Sequence, residues 1–109
     1  MVEQGDLLWL EFDPQAGHEQ AGHRPAVVVS NSFFNRATRM AVVCPVTNNL
    51  KQFPLHVPLD SRTKTTGAIE CEHIKSLDIE ARNYKFIERL PKDILNRVIE
   101  IVLSEIDEA

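Results

Sequence analysis

The chain has 109 residues, of which 43% are hydrophobic and 26% are charged, and its formal net charge at pH 7 is -4. This length allows one domain, residues 1–109, with a single modest core, and excludes a second core of similar size. No apolar run approaches the roughly 18 residues that a membrane span needs. The first residues lack the basic and apolar stretches of a secretion signal, so the sequence predicts a cytoplasmic protein with no membrane partner.

Short β-strands dominate the predicted structure as far as residue 89. Apolar or alternating segments bounded by turn residues predict strands at 6–12, 25–30, 40–46, 55–59, 68–74 and 84–89. Asn31 is placed to cap a brief helical turn after the second strand, and Pro58 favours an edge position for the fourth. This spacing is typical of a compact antiparallel barrel or half-barrel, whose ligand contacts come from loops.

One helix is predicted at the end of the chain, over residues 91–106. Its apolar residues recur at spacings of three and four, and Pro91 suits the first turn. Asp93 and Arg97 lie four residues apart and predict an ion pair along the helix. The apolar arc spans roughly 200°, wider than the ~100° that one docking face needs. This excess indicates either a partner subunit or a small barrel folded around its only helix.

The two cysteines are predicted to be reduced thiols in the core. Cys44 and Cys71 each lie in an apolar segment with no second Cys or His at metal-ligand spacing. A strand through Cys71, Glu72 and His73 leaves little room for a metal ion. We therefore expect no disulfide, no metal and no cofactor.

A glycine-punctuated loop before the second strand carries the strongest chemical signal. Residues 17–25 read GHEQAGHRP and contain His18, Glu19, His23 and Arg24. Chemistry on a phosphate needs a proton acceptor, a proton donor and a permanent cation close together. The Arg24 guanidinium offers a planar fork of donors that matches two phosphate oxygens. The alternative is a surface arginine in an ion pair, for example with Glu19.

Further polar residues follow the third predicted strand. Thr47 comes directly after the apolar run 42–46, where its hydroxyl can bind an oxyanion or cap the turn itself. His18, His23 and His73 titrate near neutrality, and Glu19 or Glu72 can accept a proton if burial raises the pKa. Basic residues in predicted loops allow a local cationic groove on an acidic protein; they are Arg24, Arg36, Arg39, Lys51, Arg62 and Lys64.

Taken together, these segments resemble the MazF/PemK family of toxins from bacterial toxin-antitoxin modules. Residues 17–25 resemble the signature loop and residues 43–47 (VCPVT) the second motif, with further likeness at 5–9, 64–67 and 74–78. The resemblance implies an SH3-like, CcdB-like antiparallel β-barrel, mainly β with a C-terminal α-helix. It also implies a cytoplasmic homodimer that cuts single-stranded mRNA at specific sequences without metal and is silenced by a cognate antitoxin.

The resemblance also assigns roles to residues. It implies that Arg24 and Thr47 are the catalytic pair, with His18 and Glu19 assisting. Glu70 and Glu72 stand where one branch of the family has an arginine and an aspartate, so that branch's catalytic scheme is not expected here. The residues expected to contact RNA are Gln20, His23, Asn48, Lys51, Phe53, Arg62, Lys64, Glu72 and His73.

The expected reaction is attack by the RNA's own 2′-hydroxyl on the adjacent phosphorus, which leaves a 2′,3′-cyclic phosphate and a 5′-hydroxyl. Two other functions remain open. One is a gyrase-inhibiting toxin on a similar barrel, although the acidic tail at 104–109 lacks an aromatic anchor. The other is a small barrel that only binds peptides or nucleic acid, with Arg24 as an ion-pair partner.

Overall fold

A computed structural model describes residues 1–12, 22–49 and 51–108. The predicted site residues His18, Glu19 and Gln20 lie outside the described residues. The strands are β1 (Asp6–Glu11), β2 (His23–Val28), β3 (Ala41–Thr47), β4 (His56–Pro58), β5 (Ala68–Glu70), β6 (Lys75–Leu77) and β7 (Lys85–Arg89). The helices are α1 (Ser32–Thr38) and α2 (Lys92–Ile106), and short 3-10 turns cover Cys71–His73 and Glu80–Arg82.

The strands form one antiparallel sheet in the order β4-β5-β3-β2-β1-β7. β6 also pairs with β3, at Ala41–Val43, whereas β5 pairs with the far end of β3 at Val46 and Thr47. In the described part of the chain β4 and β7 are not paired with each other, so the sheet is not closed. The predicted fold class, mainly antiparallel β with a C-terminal helix, is confirmed in its half-barrel form.

Alternation along the strands gives the sheet two different faces. The face that packs against α2, here the helix face, carries Leu7, Val27 and Val46 together with the buried helix residues. The other face, here the distal face, carries Leu8, Leu10, Ala26, Val28 and Val43. Successive strand residues point to opposite faces, so the odd-numbered and even-numbered residues of a regular strand lie on different faces of the sheet. Neither of the two helices in the described part of the chain is long and apolar enough to cross a membrane.

Several local predictions are confirmed. The Asn31 side chain accepts a hydrogen bond from the Phe34 backbone N–H at 2.8 Å and caps α1, which runs longer than the predicted turn. β4, which contains Pro58, is an edge strand. Cys44 and Cys71 are buried free thiols, and the hydrogen bond between them, together with burial, raises the pKa of Cys44 well above its usual range.

The predicted strand at 68–74 is wrong beyond Glu70. The chain turns there because the seven residues of β3 pair with two partners, β5 at one end and β6 at the other. A 3-10 turn makes this step, and the Cys71 N–H donates to the Leu55 carbonyl at 3.2 Å. β6 was therefore missed as a separate strand.

The predicted ion pair between Asp93 and Arg97 is also wrong. Asp93 instead accepts two hydrogen bonds from Arg62, at 2.8 and 3.0 Å, while Arg62 also binds Asp60. An arginine reaching from a turn can present both nitrogens of its fork to one carboxylate. Arg62 thereby ties the loop after β4 to the first turn of α2.

Candidate active site

The β2–β3 register, extended beyond its last pair, points Arg24 toward the position of Thr47. β2 and β3 pair Ala26 with Pro45 and Val27 with Cys44. Two residues further along the same ladder, Arg24 falls opposite Thr47. Opposed residues in an antiparallel ladder share a face, with Cβ atoms about 4.5–5.5 Å apart. Both side chains therefore belong to the distal face, where β2 begins and β3 ends; Arg24 is half-buried and Thr47 is 8% exposed.

Of the two roles that the sequence left open for Thr47, the structure shows the turn cap. Its Oγ1 accepts a hydrogen bond from the Asn49 N–H at 3.1 Å, so it caps the turn after β3. A hydroxyl has one proton to donate in addition to its acceptor lone pairs, so the capping role leaves that proton for a phosphate oxygen. Gly67, at a φ of +118°, approaches the Thr47 carbonyl so closely that an added Cβ would lie 2.3 Å from its oxygen.

Two carboxylates and two imidazoles lie further across the same face. Glu70 follows the Thr47–Ala68 pair on β5 by two residues, and His56 of β4 is its register partner. The 3-10 turn after β5 adds Glu72 and His73. We call these four residues the His–Glu cluster. His56 Nε2 is 2.8 Å from Glu72 Oε2 and 3.8 Å from Glu70 Oε2.

Electrostatics link this cluster to Arg24. Burial raises the pKa of the Glu70 carboxyl, and the nearby charge of Glu72 adds to that increase. The positive charges of His73, His56 and Arg24 act in the opposite direction. A carboxyl with a raised pKa beside an arginine and two imidazoles is suited to proton transfer.

A groove runs beside this face and contains two of the predicted RNA contacts. It has a volume of about 730 Å³ and is lined by Asn49, Lys51, Phe53, His56, Ala68 and Arg97, among others. The Phe53 ring is 47% exposed and meets the His56 ring edge-on, with centroids 5.2 Å apart. Asn48, next to Thr47, is exposed and accepts a hydrogen bond from the Thr66 hydroxyl at 3.2 Å. Cation, aromatic ring and amide thus stand close to the Arg24–Thr47 pair.

Other predicted RNA contacts are directed elsewhere. His23 precedes Arg24 on β2 and so points to the helix-face side, where it stacks on Trp9 with centroids 6.1 Å apart. The Arg62 guanidinium donates to Asp60 and Asp93 through Nε and both terminal nitrogens. Lys64 is exposed, and its backbone N–H is held by Glu88 at 3.1 Å.

Sequence reasoning missed His56 and gave Glu70 no role. His56 was assigned only to an edge strand. What the sequence lacks is the register between β4 and β5, which pairs His56 with Glu70.

Comparison with known proteins agrees with this fold. A family model described as a PemK-like, MazF-like toxin of type II toxin-antitoxin system matches residues 3–105. Endoribonuclease PemK of Escherichia coli is 40% identical over 102 residues, which cover 90% of this chain and 77% of the relative. Endoribonuclease toxin MazF of Escherichia coli (strain K12) is 41% identical over 80 residues, covering 73% of this chain and 71% of the relative.

Solved structures give the same result. The crystal structure of MazF (Form-I) from Deinococcus radiodurans superposes with a TM-score of 0.90 at 38% identity, covering 95% of this chain and 94% of that one. A MazE-MazF structure (Form-II) from the same organism gives a TM-score of 0.83 at 30% identity, covering 99% and 97%. The open antiparallel sheet with a terminal helix, shared with these structures, and the match to the family model define a toxin of the toxin-antitoxin class. The chain belongs to the PemK/MazF family of type II toxin-antitoxin systems, and the predicted resemblance is confirmed.

Proposed function

We propose that this chain is a sequence-specific endoribonuclease that cuts single-stranded mRNA. The observation that supports the proposal is the β2–β3 register, which ends at Ala26 and Pro45. Extended by two residues, it sets Arg24 opposite Thr47 on one face of the sheet. Relatives of 40% and 41% identity are named endoribonucleases, and the alignments cover most of this chain.

In the proposed reaction the RNA 2′-hydroxyl attacks the adjacent phosphorus and the 5′-oxygen leaves. The products are a 2′,3′-cyclic phosphate and a free 5′-hydroxyl. Because the nucleophile is already part of the substrate, its orientation is supplied internally. The protein then needs to stabilise negative charge on the phosphorane, which the Arg24 guanidinium and the Thr47 hydroxyl do through charge-assisted hydrogen bonds.

A proton must leave the 2′-hydroxyl and another must reach the 5′-oxygen. A guanidinium with a pKa above about 12 is poorly suited to either transfer. His18 and Glu19 of the loop before β2 remain the proposed assisting residues. Glu70 is a further proton acceptor on the same face, because burial raises the pKa of its carboxyl.

The groove beside the active-site pair is the proposed path of the RNA. Single-stranded bases stack on aromatic side chains, and lysine binds the backbone between them. Phe53 and Lys51 supply this combination, and Asn48 lies where the path reaches Thr47. The remaining predicted RNA contacts stay predictions; they are Gln20, His23, Arg62, Lys64, Glu72 and His73. Because the Arg62 guanidinium is paired with carboxylates and His23 points to the other side of the sheet, other roles are favoured for these two residues.

We further propose a cytoplasmic homodimer controlled by an antitoxin. Structural relatives include MazE-MazF complexes. Large apolar side chains remain exposed on the last turns of α2, where Leu103 is 58% and Ile106 is 72% exposed. Such exposed apolar side chains are typical of surfaces that bind another protein.

The test is cleavage of a long, defined single-stranded RNA in excess EDTA, with both new ends identified. We expect cuts at one short sequence with cyclic-phosphate and 5′-hydroxyl ends. Arg24→Lys and Thr47→Val are each expected to slow single-turnover cleavage about a hundredfold, since one lost donor to the phosphorane costs ~3 kcal/mol. Arg36→Lys, an exposed arginine of α1, serves as the matched control.

Two results would contradict the proposal. RNA binding without cleavage would favour a binding-only barrel, and inhibition of purified gyrase without RNA cleavage would favour the gyrase-inhibiting toxin. Unchanged rates in both the Arg24 and Thr47 variants would remove these residues from catalysis.

A further inference from the structure

Four ligand-type atoms converge in the His–Glu cluster. The Nε2 atoms of His56 and His73 each approach the Oε2 atoms of Glu70 and Glu72. The four N–O distances are 2.8, 3.8, 3.8 and 4.0 Å. In a tetrahedral zinc site with bonds of about 2.0–2.1 Å, neighbouring ligand atoms are roughly 3.4 Å apart. The observed distances lie on both sides of that value.

The backbone holds three of these ligands in place before any ion binds. His56, Glu70 and Glu72 can each place one ligand atom within 4.8 Å of the others. His56 and Glu70 are register partners in adjacent strands. The turn that carries Glu72 is tied to the start of β4 by the Cys71 N–H and Leu55 carbonyl. Ligands fixed in this way lose little freedom when an ion arrives.

The site holds carboxylates together with basic side chains, since His73, His56 and Arg24 all act on the charge of Glu70. The Glu70 side chain is 8% exposed and faces Glu72, so two carboxylates share a partly dehydrated space. Burial, together with the charge of Glu72, raises the pKa of Glu105 on α2, so a third carboxyl lies near. Among the described residues Glu72 Oε1 and His56 Nδ1 are buried without a hydrogen-bond partner. Unsatisfied buried polar atoms are rare in folded proteins, and both of these atoms belong to residues of the cluster.

We propose that His56, Glu70 and Glu72 bind one zinc ion and that His73, at 4.0 and 3.8 Å from the two carboxylates, completes the set as the fourth ligand. Imidazole nitrogen and carboxylate oxygen are the ligands that suit zinc, whereas magnesium demands six oxygen ligands in an octahedron. The ion joins edge strand β4 to β5 and to the turn after it. The proposed cleavage step uses no ion, but the site shares Glu70 with the proposed proton transfer and Glu72 and His73 with the predicted RNA contacts.

Zinc binding to the EDTA-stripped and desalted full chain tests the site directly. Competition against a chromogenic chelator is expected to show one zinc per chain, and zinc is expected to raise the melting temperature while millimolar magnesium does not. His56→Gln, Glu72→Gln and His73→Gln are each expected to weaken zinc binding at least tenfold. His23→Gln, which alters an imidazole on the other side of the sheet, is the matched control and leaves binding unchanged.

Cobalt substitution in the unaltered chain distinguishes this site from the two buried thiols. We expect visible bands of tetrahedral cobalt without the ultraviolet bands of thiolate ligation. Three results would overturn the proposal. They are a lack of stoichiometric zinc binding, the appearance of thiolate bands, and unchanged zinc affinity in folded His56 and His73 variants. None of these readouts depends on RNA cleavage, so failure here is separate from failure of the proposed function.

Discussion

Thr47 is fixed more firmly than a residue at the end of a strand usually is. Its backbone pairs with Ala68 of β5, its hydroxyl caps the following turn, and Gly67 packs against its carbonyl. The hydroxyl proposed to meet the phosphorane is thus held by contacts on several sides. Preorganised donors of this kind stabilise a transition state without reorganising during the reaction.

Gly67→Ala is expected to displace Thr47 and to lower both stability and activity. The residue has a φ of +118°, and a Cβ there would lie 2.3 Å from the Thr47 carbonyl oxygen. Moving backbone atoms away from such a contact costs free energy. We therefore expect the unfolding free energy to fall by a few kcal/mol, which is at the upper end of the effects of ordinary point mutations. Urea unfolding and single-turnover cleavage measure the two effects.

Gly22→Ala is the control for this change. Gly22 also has a positive φ, +74°, but a Cβ there meets nothing within 4 Å among the described residues. The backbone penalty alone is about 1–2 kcal/mol. Equal losses in the two variants would show that the contact with Thr47 has no separate role.

At the scale of elements, Glu88 of β7 anchors the loop that leads to β5. Its carboxylate accepts hydrogen bonds from the Lys64 N–H and from both the N–H and the hydroxyl of Thr65, at 3.1, 2.9 and 2.9 Å. This loop ends at Gly67, directly beside Thr47. One glutamate therefore helps position the start of β5 relative to the active-site pair.

Glu88 gives stability a defined pH dependence. Burial pushes the pKa of Glu88 upward, but the hydrogen bonds from Thr65 and Lys64 outweigh it, so the pKa lies below the ordinary value of 4.5. The folded state therefore binds this proton less readily than the unfolded chain. The contribution of Glu88 is fully present above pH 4.5 and is lost as the pH falls through the lowered pKa.

Glu88→Gln tests this contribution. The variant is expected to be less stable than the parent at neutral pH, with the difference shrinking as the pH is lowered toward 3. Urea unfolding from pH 7 to pH 3 measures it. A difference that stays constant over that range would show that the charge of Glu88 has no part in holding the loop.

At the scale of the whole molecule, the exposed end of α2 predicts how copies of the chain associate. Ile94, Leu95, Val98 and Val102 are buried against the sheet, whereas Leu103 and Ile106 are exposed. The apolar arc that the sequence predicts for α2 is therefore wider than the part of the helix surface that the sheet covers. If this surface joins two subunits, Leu103→Glu with Ile106→Glu is expected to shift a dimer to a monomer.

Sedimentation or light scattering gives the mass directly. Phe33→Glu, at a residue of α1 that is 76% exposed, is the control and should leave the mass unchanged. A dimer that survives the double change in α2 would place the subunit interface elsewhere on the molecule.

The sequence predicts local structure better than it predicts which residues of different strands meet. Helix α2 and the cap at Asn31 follow from spacing and capping chemistry, which are local. Where β5 ends depends on β3 changing partners, which no local pattern records. The opposite directions of His23 and Arg24 follow once β2 begins at His23, two residues earlier than predicted. The meeting of His56 with Glu70 rests on register alone.

Strand β3 has neighbours along both of its edges, β2 on one and β5 with β6 on the other. Arg24 and the groove residues belong to the outer parts of this arrangement and adjoin loops. If Arg24 and Thr47 act as proposed, variation in those loops changes which nucleotide is accepted while the alcohol at the end of β3 stays in place. Such a division would let related chains diversify in the sequences they cut without rebuilding the chemistry of the cut.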